Sequence, residues 1–513
     1  MPSNLFIIEA PGKREGLSGL LWRAGIRDAE VMATVGHIGT NPQGFQPLGI
    51  DAQYRETEYR LKPDKGVLAM KIGAAAKAAK KIYLATDDDQ EGDVIARDVL
   101  RFCIDPEDHA KAVRTRLKAL APSELKAAVD AAEPFDPMAA VRGDARRVLD
   151  RLIGALSSRE AAVGRVQGSL LLTLAELHPV VGVATVTMPS DDGKGDWIAT
   201  APVYAGQPVP ETPAITVVAR VGKSFEATLA SQAMNHDDVL LSASLATGEP
   251  VERVSQAMQT LYERGQMTYP RAKDRAVSPD AFRRLQALAR VHGAGFDEHR
   301  FKAVRAVEGE HAHEAPNPTV LDLPLNRQNA LLSMEERVLV HVARNLIECG
   351  MPCQYQTPRL VDVAALPGGL AKLAWHRMVP AGERLWEPGA PAAGVVKWTP
   401  EQSVLHLMSK CGLGRPSTIV NHVGKFIERG LVDADFALTE KGQAWTQRIG
   451  ELFSGNRGLS KTVETYLELN RKPAEDMVRE MITLCALDSA VGSGANQGYD
   501  DDEELEISSG HVS

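Results

Sequence analysis

Apolar positions along the chain come in short runs whose spacing switches repeatedly between the strand and the helix period. Leu5 to Glu9 (LFIIE) reads as a buried strand, the turn Ala10-Pro11-Gly12-Lys13 follows, and a helix is predicted from about Arg14 to Ala24. A second strand is predicted over Val31–Val35, before Gly36-His37-Ile38-Gly39. Ile82 to Thr86 is another apolar, β-branched run; it breaks into Asp87, Asp88, Asp89, Gln90, Glu91 and Gly92, then resumes with helical spacing at Val94, Ile95, Val99 and Leu100. Arg142 to Leu156 is a basic amphipathic helix. From about Val181 to Leu245 the pattern alternates (Trp197–Val203, Ile215–Val221, Phe225–Leu229) and reads as antiparallel β. Helices are predicted again over Pro250–Arg264 and Leu331–Cys349. A weakly marked β-like stretch then runs to about Trp398, and helices return from Pro400.

A strand that ends in clustered acids and turns at once into a helix marks a site, because ligands of parallel α/β sheets lie at strand ends. Asp87, Asp89 and Glu91 are spaced two apart, so an extended backbone projects all three carboxylates to one side. Converging anions raise one another's pKa unless a cation joins them, and an all-oxygen set suits Mg²⁺ better than zinc or copper. A solvated acidic turn, with Glu91 at the positive end of a helix, is the bland alternative. Glu9 ends a neighbouring strand and would join the acids there, with Lys13 in the same turn as a counter-charge or phosphate ligand and His37 at the same mouth.

Composition narrows the setting. The 513 residues allow several domains, and 44% hydrophobic with 24% charged residues describe an ordinary globular protein. No apolar run has the form of a signal peptide or a membrane span, and five scattered cysteines without a CxxC pair support neither a disulfide framework nor a zinc ribbon, so a cytoplasmic protein is expected. The net charge of −9 becomes −3 once the six acids of residues 492–513 are set aside. That tail reads as disordered, and phosphate binding depends on local basic patches in the body.

EAPGK at 9–13, GHIG at 36–39 and TDDDQEGDVIA at 86–96 resemble the Toprim domain of type IA topoisomerases, primases and some nucleases. ARRVLDRLIG…GRVQGS (145–169) resembles the segment with which type IA topoisomerases hold single-stranded DNA. AMQTLYERGQMTYPR (257–271) closely resembles the segment carrying their nucleophilic tyrosine. His313-Glu314-Ala315 is similar to the family's His-Glu-Ala motif, and GLGRPSTIV…ERGLV…LTEKG (412–442) to its last core motif. The chemistry of the tyrosine segment agrees. A phenol is neutral at pH 7 and needs help to attack phosphorus, and an arginine two residues on, along one face of an extended strand, can hold the scissile phosphate. A His-x-His metal site at His311 and His313 lacks a third ligand, and no Walker motif is present, so neither zinc nor ATP is expected.

The resemblance implies a multidomain α/β and α+β toroid. Its parts are a Toprim domain (1–125), a helical DNA-gripping domain (126–180 and 399–490), a β-rich arch (181–248 and 326–398), a tyrosine domain (249–325) and a disordered acidic tail (491–513). It implies Tyr269 as nucleophile with Arg271, Glu9 and Lys13 assisting, Mg²⁺ (with Mn²⁺ as a substitute) at Asp87, Asp89, Glu91 and Glu9, and DNA contacts from Arg165, His313, Arg415, Ser417, Thr418 and His37. The partners expected are single-stranded and negatively supercoiled DNA, bound by a nucleoid-associated monomer that uses no membrane, with the tail as a docking segment for another protein. Three departures bear on rate and phosphate grip: Gln90 stands where the family has a basic residue, Ala272-Lys273 where it has Thr/Ser-Asp, and Pro316-Asn317 where it has Ile-Arg. The rivals are a DNA-binding relative without efficient cutting, and a Toprim nuclease or primase, which leaves the tyrosine segment unexplained.

Overall fold

The computed structural model describes residues 3–117, 122–158, 163–188, 197–207, 221–227, 232–296, 313–350 and 394–487, with short pieces at 298–299, 301, 304, 355–360, 373, 375 and 377–378. The acidic tail, His311 and most of the predicted strand Ile215–Val221 lie outside these residues.

The chain opens with β1 (Asn4–Ile8), α1 (Lys13–Arg23), β2 (Ala29–Ala33), a small hairpin of β3 (Gly39–Thr40) and β4 (Arg60–Leu61), α2 (Gly66–Ala78), β5 (Lys81–Leu84), α3 (Gln90–Cys103), β6 (Ala112–Arg114), α4 (Pro122–Asp130) and β7 (Glu133–Pro134). Five strands form a sheet in the order β2-β1-β5-β6-β7, parallel except for the last pair. The apolar strand residues face both ways and are buried on both sides, as parallel sheets require. Leu5, Ile7, Ile82 and Leu84 pack on α2 and α3, while Phe6, Ile8 and Tyr83 pack with α1 and α4. Ile7 lies opposite Leu84, so Glu9 and Asp87 leave neighbouring strands at the same edge of the sheet.

The remaining elements are α5 (Val141–Ser158), α6 (Arg165–Glu176), β8 (Val180–Met188), β9 (Trp197–Tyr204), β10 (Val221–Ala227), α7 (His236–Thr247), α8 (Val251–Glu263), α9 (Pro279–Val291), α10 (Met334–Gly350), β11 (Tyr355–Leu360), β12 (Arg377–Met378), β13 (Gly394–Lys397), α11 (Pro400–Cys411), α12 (Ile419–Glu428), α13 (Glu440–Leu452), α14 (Leu459–Leu469) and α15 (Ala474–Leu484). The middle strands form two antiparallel sheets, β10-β11-β12 and β13-β8-β9, each joining strands from before and after the tyrosine segment. A single large core runs through the helices from α5 to α15. Helix α7 departs from the sequence reading, which took its residues as β. Its start is fixed by a capping box between Asn235 and Asp238, which satisfies two orphan backbone donors, and its buried Val239, Leu240 and Ala243 join the helical core. No helix among the described residues is long and apolar enough to cross a membrane.

Candidate active site

The acidic loop between β5 and α3 is built by an arginine that the sequence did not flag. Arg114, on β6 and 6% exposed, donates to the carbonyls of Leu84 and Thr86 at 2.9 Å and of Asp87 at 2.8 Å, and to Asp93 Oδ1 at 2.7 Å. It satisfies the Thr86 and Asp87 carbonyls and shares the Leu84 carbonyl with the Thr115 amide. Asp89 then caps α3, accepting from the Gly92 amide at 2.8 Å. Gly92 is required by space: a Cβ there would lie 1.9 Å from the Asp87 carbonyl oxygen. Gly92→Ala therefore forces the loop off its helix, and a loss of about 2–3 kcal/mol is expected. It would be read as a lower thermal midpoint, and an unchanged midpoint refutes the crowding.

This geometry corrects one expectation. Because α3 begins at Gln90, the two-residue period ends at Asp89 and Glu91 turns onto a different face. There it pairs with His37 Nε2 at 3.1 Å, with Arg415, and with Arg146 Nη1 at 3.6 Å. Burial alone would raise the Glu91 pKa, but the His37 hydrogen bond and the two guanidinium groups hold it far below the usual carboxylate range. His37 in turn is raised: burial opposes its charge, and the Glu91 bond and charge outweigh burial.

Asp87 and Asp89 do meet Glu9, Lys13, Tyr269 and Arg271. Lys13 Nζ, 4% exposed, donates to Asp87 Oδ1 at 2.5 Å and sits 4.2 Å from the centre of the Tyr262 ring. Arg271 Nη1 is 3.5 Å from Asp87 Oδ2 and 3.9 Å from Asp89 Oδ2. Burial pushes against the charge of Asp87, yet Lys13 and Arg271 hold it ionised and lower its pKa. Glu9 has no such excess of cations. Burial, then Asp87 and Asp89, push it up to about 7, against the pull of Arg271 and Lys13.

The Tyr269 hydroxyl donates to Asp89 Oδ2 at 2.9 Å across 180 residues of chain. Its ring packs edge-on to Tyr262, with centroids 5.4 Å apart, and lies 4.3 Å from the His313 ring. Burial, followed by Asp89 and Asp87, raises its pKa well above 10, so the resting group is a neutral phenol. The Tyr269–Arg271 segment is loop rather than the extended strand expected, held beside the isolated bridge Met267–Pro318. His313 Nε2 donates to the Asp88 carbonyl at 2.6 Å. Asn317 is fully buried and its side-chain amide donates to Thr268 Oγ1 at 3.2 Å and to the Ala315 carbonyl at 2.9 Å, so it braces the loop instead of facing DNA.

A cavity of about 440 Å³ opens over Tyr269, lined also by Asp89, Arg271, His313, Arg415 and Ser417. Ser417 Oγ is buried there without a hydrogen-bond partner among the described residues. Gly412 and Gly414 adopt φ of 66° and 82°, the left-handed turn that carries Arg415 and Ser417 to the cavity. Thr418 instead precedes α12 and does not line this cavity. Arg165 is a second correction. It is 3% exposed and donates to Asp150 at 2.6 Å, Glu464 at 3.0 Å and the Ser460 carbonyl at 3.2 Å, so it is an internal strut and not a groove wall. Glu464 had no signal in the sequence, yet it gathers Arg146, Arg165 and Arg415.

For a divalent ion the oxygen chemistry of Glu9, Asp87 and Asp89 fits, and the raised pKa of Glu9 shows charge that a cation would relieve. Glu91 drops out of that set. Among the described residues no three such side chains stand ready-grouped for a metal, and Lys13 and Arg271 already engage Asp87. Folded Glu9 holds its proton more tightly than its ordinary value of 4.5 allows, so wild-type stability falls as pH rises from about 4.5 through about 7. Glu9→Gln should therefore gain thermal stability relative to wild type at pH 8 and gain least at pH 5. Equal differences at both pH values contradict this.

Residues 4–119 match the Toprim domain family. The chain is 28% identical over 350 residues to a plasmid DNA topoisomerase I of Xylella fastidiosa, an alignment covering 62% of this chain and 51% of that protein. It is 24% identical to DNA topoisomerase 1 of Aquifex aeolicus, over 84% of this chain and 87% of that one. Full-length topoisomerase I from Thermotoga maritima superposes with a TM-score of 0.65 at 19% identity, covering 95% of this chain and 90% of that one. The chain thus spans about half the length of the Xylella protein and most of the other two. Residues 4–119 thus carry a Toprim domain, built here on a mainly parallel sheet with acids at its strand ends. In fold the chain is similar to the Thermotoga topoisomerase I, and in sequence to the two DNA topoisomerases.

Proposed function

We propose that the chain is an ATP-independent type IA DNA topoisomerase, which cuts one DNA strand through Tyr269, lets another strand pass and reseals the break. One observation carries this reading: the phenol of Tyr269 is hydrogen-bonded to Asp89 at 2.9 Å, at a cavity that Arg271 also lines. A strand bound there places a phosphate against Arg271 and the Ser417 hydroxyl. Asp89 takes the phenolic proton as Tyr269 attacks phosphorus, forming a 5′-phosphotyrosine. The departing 3′-oxygen receives a proton from Glu9, whose pKa of about 7 leaves it partly protonated at neutral pH, and Lys13 offsets the charge. The covalent link conserves the bond energy, so no nucleotide is consumed. Mg²⁺ or Mn²⁺ held by Glu9, Asp87 and Asp89 would supply charge neutralisation beside the phosphate during resealing.

The proposal extends to a toroid in which the Toprim, gripping, arch and tyrosine parts enclose a hole, and to a monomer acting on single-stranded and negatively supercoiled DNA in the cytoplasm. The test is denaturing electrophoresis of end-labelled single-stranded DNA incubated with the protein, together with plasmid relaxation in Mg²⁺ and in EDTA. Protein-linked label and metal-dependent relaxation are expected. Cutting without protein-linked label would favour a Toprim nuclease, and binding without cutting a non-catalytic relative.

A further inference from the structure

Lysine carries its charge on a long, flexible stem, yet the ammonium of Lys13 is held at one point. It is buried and donates to Asp87 Oδ1 at 2.5 Å. That bond fixes one side of the group and leaves its other N–H donors to be placed. A second side is closed by the Tyr262 ring, over which the ammonium lies 4.2 Å from the centre. The face of an aromatic ring is negative, and it attracts a cation most strongly where water is excluded. Both partners here are buried.

The two groups come from different parts of the chain. Lys13 opens α1 against the Toprim sheet, whereas Tyr262 lies in the last turn of α8, shortly before Tyr269. Tyr262 is itself firmly set: its hydroxyl donates to the Leu117 carbonyl at 3.2 Å, and its ring packs edge-on with Tyr269 at 5.4 Å between centroids. The next residue, Glu263, seats the same helix end on the turn that carries Lys13. A Cβ at Gly12 would collide with Glu263 Oε2, and Gln259 donates to Glu263 Oε1 at 2.9 Å, which orients the carboxylate. Gly12 is the N-cap of α1, where an acid meets the positive end of a helix. The end of α8 therefore holds residues 10–13 by a ring on the cation and an acid at the helix start. Neither contact depends on the Tyr269–Asp89 hydrogen bond.

We infer that Tyr262 is a positioning residue whose ring face holds the Lys13 ammonium at the cut site, so that Lys13 is set for its work only while the end of α8 is seated on residues 10–13. The inference rests on the cleavage reading for what Lys13 does, and the contact itself is tested apart from it. Tyr262→Phe is compared with proteins carrying trifluoro- or pentafluorophenylalanine at the same position. Fluorine drains the negative charge from the ring face and changes its shape little, so a ring that served packing alone would leave the series flat. The rate at which end-labelled single-stranded DNA becomes protein-linked should fall about tenfold from Tyr262→Phe to the pentafluoro protein, with the trifluoro protein between them. Tyr262→Phe, which keeps the ring, should stay within about threefold of wild type. Across the same series the thermal midpoint should drop by about 2 °C, and in a Lys13→Ala background that drop should vanish. A labelling rate indifferent to fluorine, or a midpoint trend that persists without Lys13, overturns the proposal. Absence of protein-linked label from wild type would strike the cleavage reading and the positioning role with it, while the midpoints still report on the contact by itself.

Discussion

Tyr269→Phe is expected to remove protein-linked DNA altogether, a fall of at least about a thousandfold, set only by the detection limit. The substitution deletes one oxygen and leaves the ring on Tyr262 and His313, so the packing is retained. What disappears is the proposed nucleophile and its hydrogen bond to Asp89. The neighbouring phenol does not stand in for it: Tyr262 is buried and donates to the Leu117 carbonyl at 3.2 Å. Single-stranded DNA binding should persist within about threefold, because Arg271, Arg415 and Ser417 are untouched. A variant that still forms the adduct would remove Tyr269 from the mechanism, whereas one that loses binding and folding together would show the hydroxyl to be structural.

Glu464→Ala is expected to cause the largest loss of stability, about 3–5 kcal/mol. Glu464 accepts from Arg146 at 2.9 Å and Arg165 at 3.0 Å, and lies 4.0 Å from Arg415. All four side chains are nearly inaccessible, so removing the acid leaves three guanidinium groups crowded in a low-dielectric interior. Glu91 and Asp150 remain, but each faces only part of the cluster. Burial opposes the Glu464 charge, and the arginines overcome it, holding its pKa far below 4.5. A lowered carboxylate stabilises the fold above its unfolded pKa and loses that contribution as pH falls, so the gap between wild type and Glu464→Ala should narrow on acidification. Thermal melts at pH 7 and pH 4 measure this, and a gap that is small at pH 7 contradicts the role.

The parallel sheet, the acids at its edge and the tyrosine segment were legible because each is local. Short continuous apolar runs set β1 and β5, and Gly92 with Asp89 set the start of α3. The register of Ile7 against Leu84 then brings Glu9 to Asp87 with no further information needed. What the sequence hid was non-local. Glu91 looked equivalent to Asp87 and Asp89 until the helix began one residue before it. Arg165 and Arg415 sit in similar Gly-flanked motifs, yet one is buried on Asp150 and the other reaches the cavity, because α14 supplies Glu464 from 299 residues beyond Arg165. Arg114 carries no motif, since its work is done on carbonyls.

The tyrosine loop meets the Toprim part through side chains: Tyr269 on Asp89, His313 on the Asp88 carbonyl and Tyr262 on the Leu117 carbonyl. No strand ladder among the described residues crosses that border. The two faces can therefore part like a door leaving its frame, each keeping its own sheet or bundle intact, at the cost of these bonds, the Arg271 pairing with Asp87 and the burial of the Tyr262 and Tyr269 rings in the Toprim core. Under the proposed function, a joint of this kind would align the reacting groups when shut and release them for a passing strand.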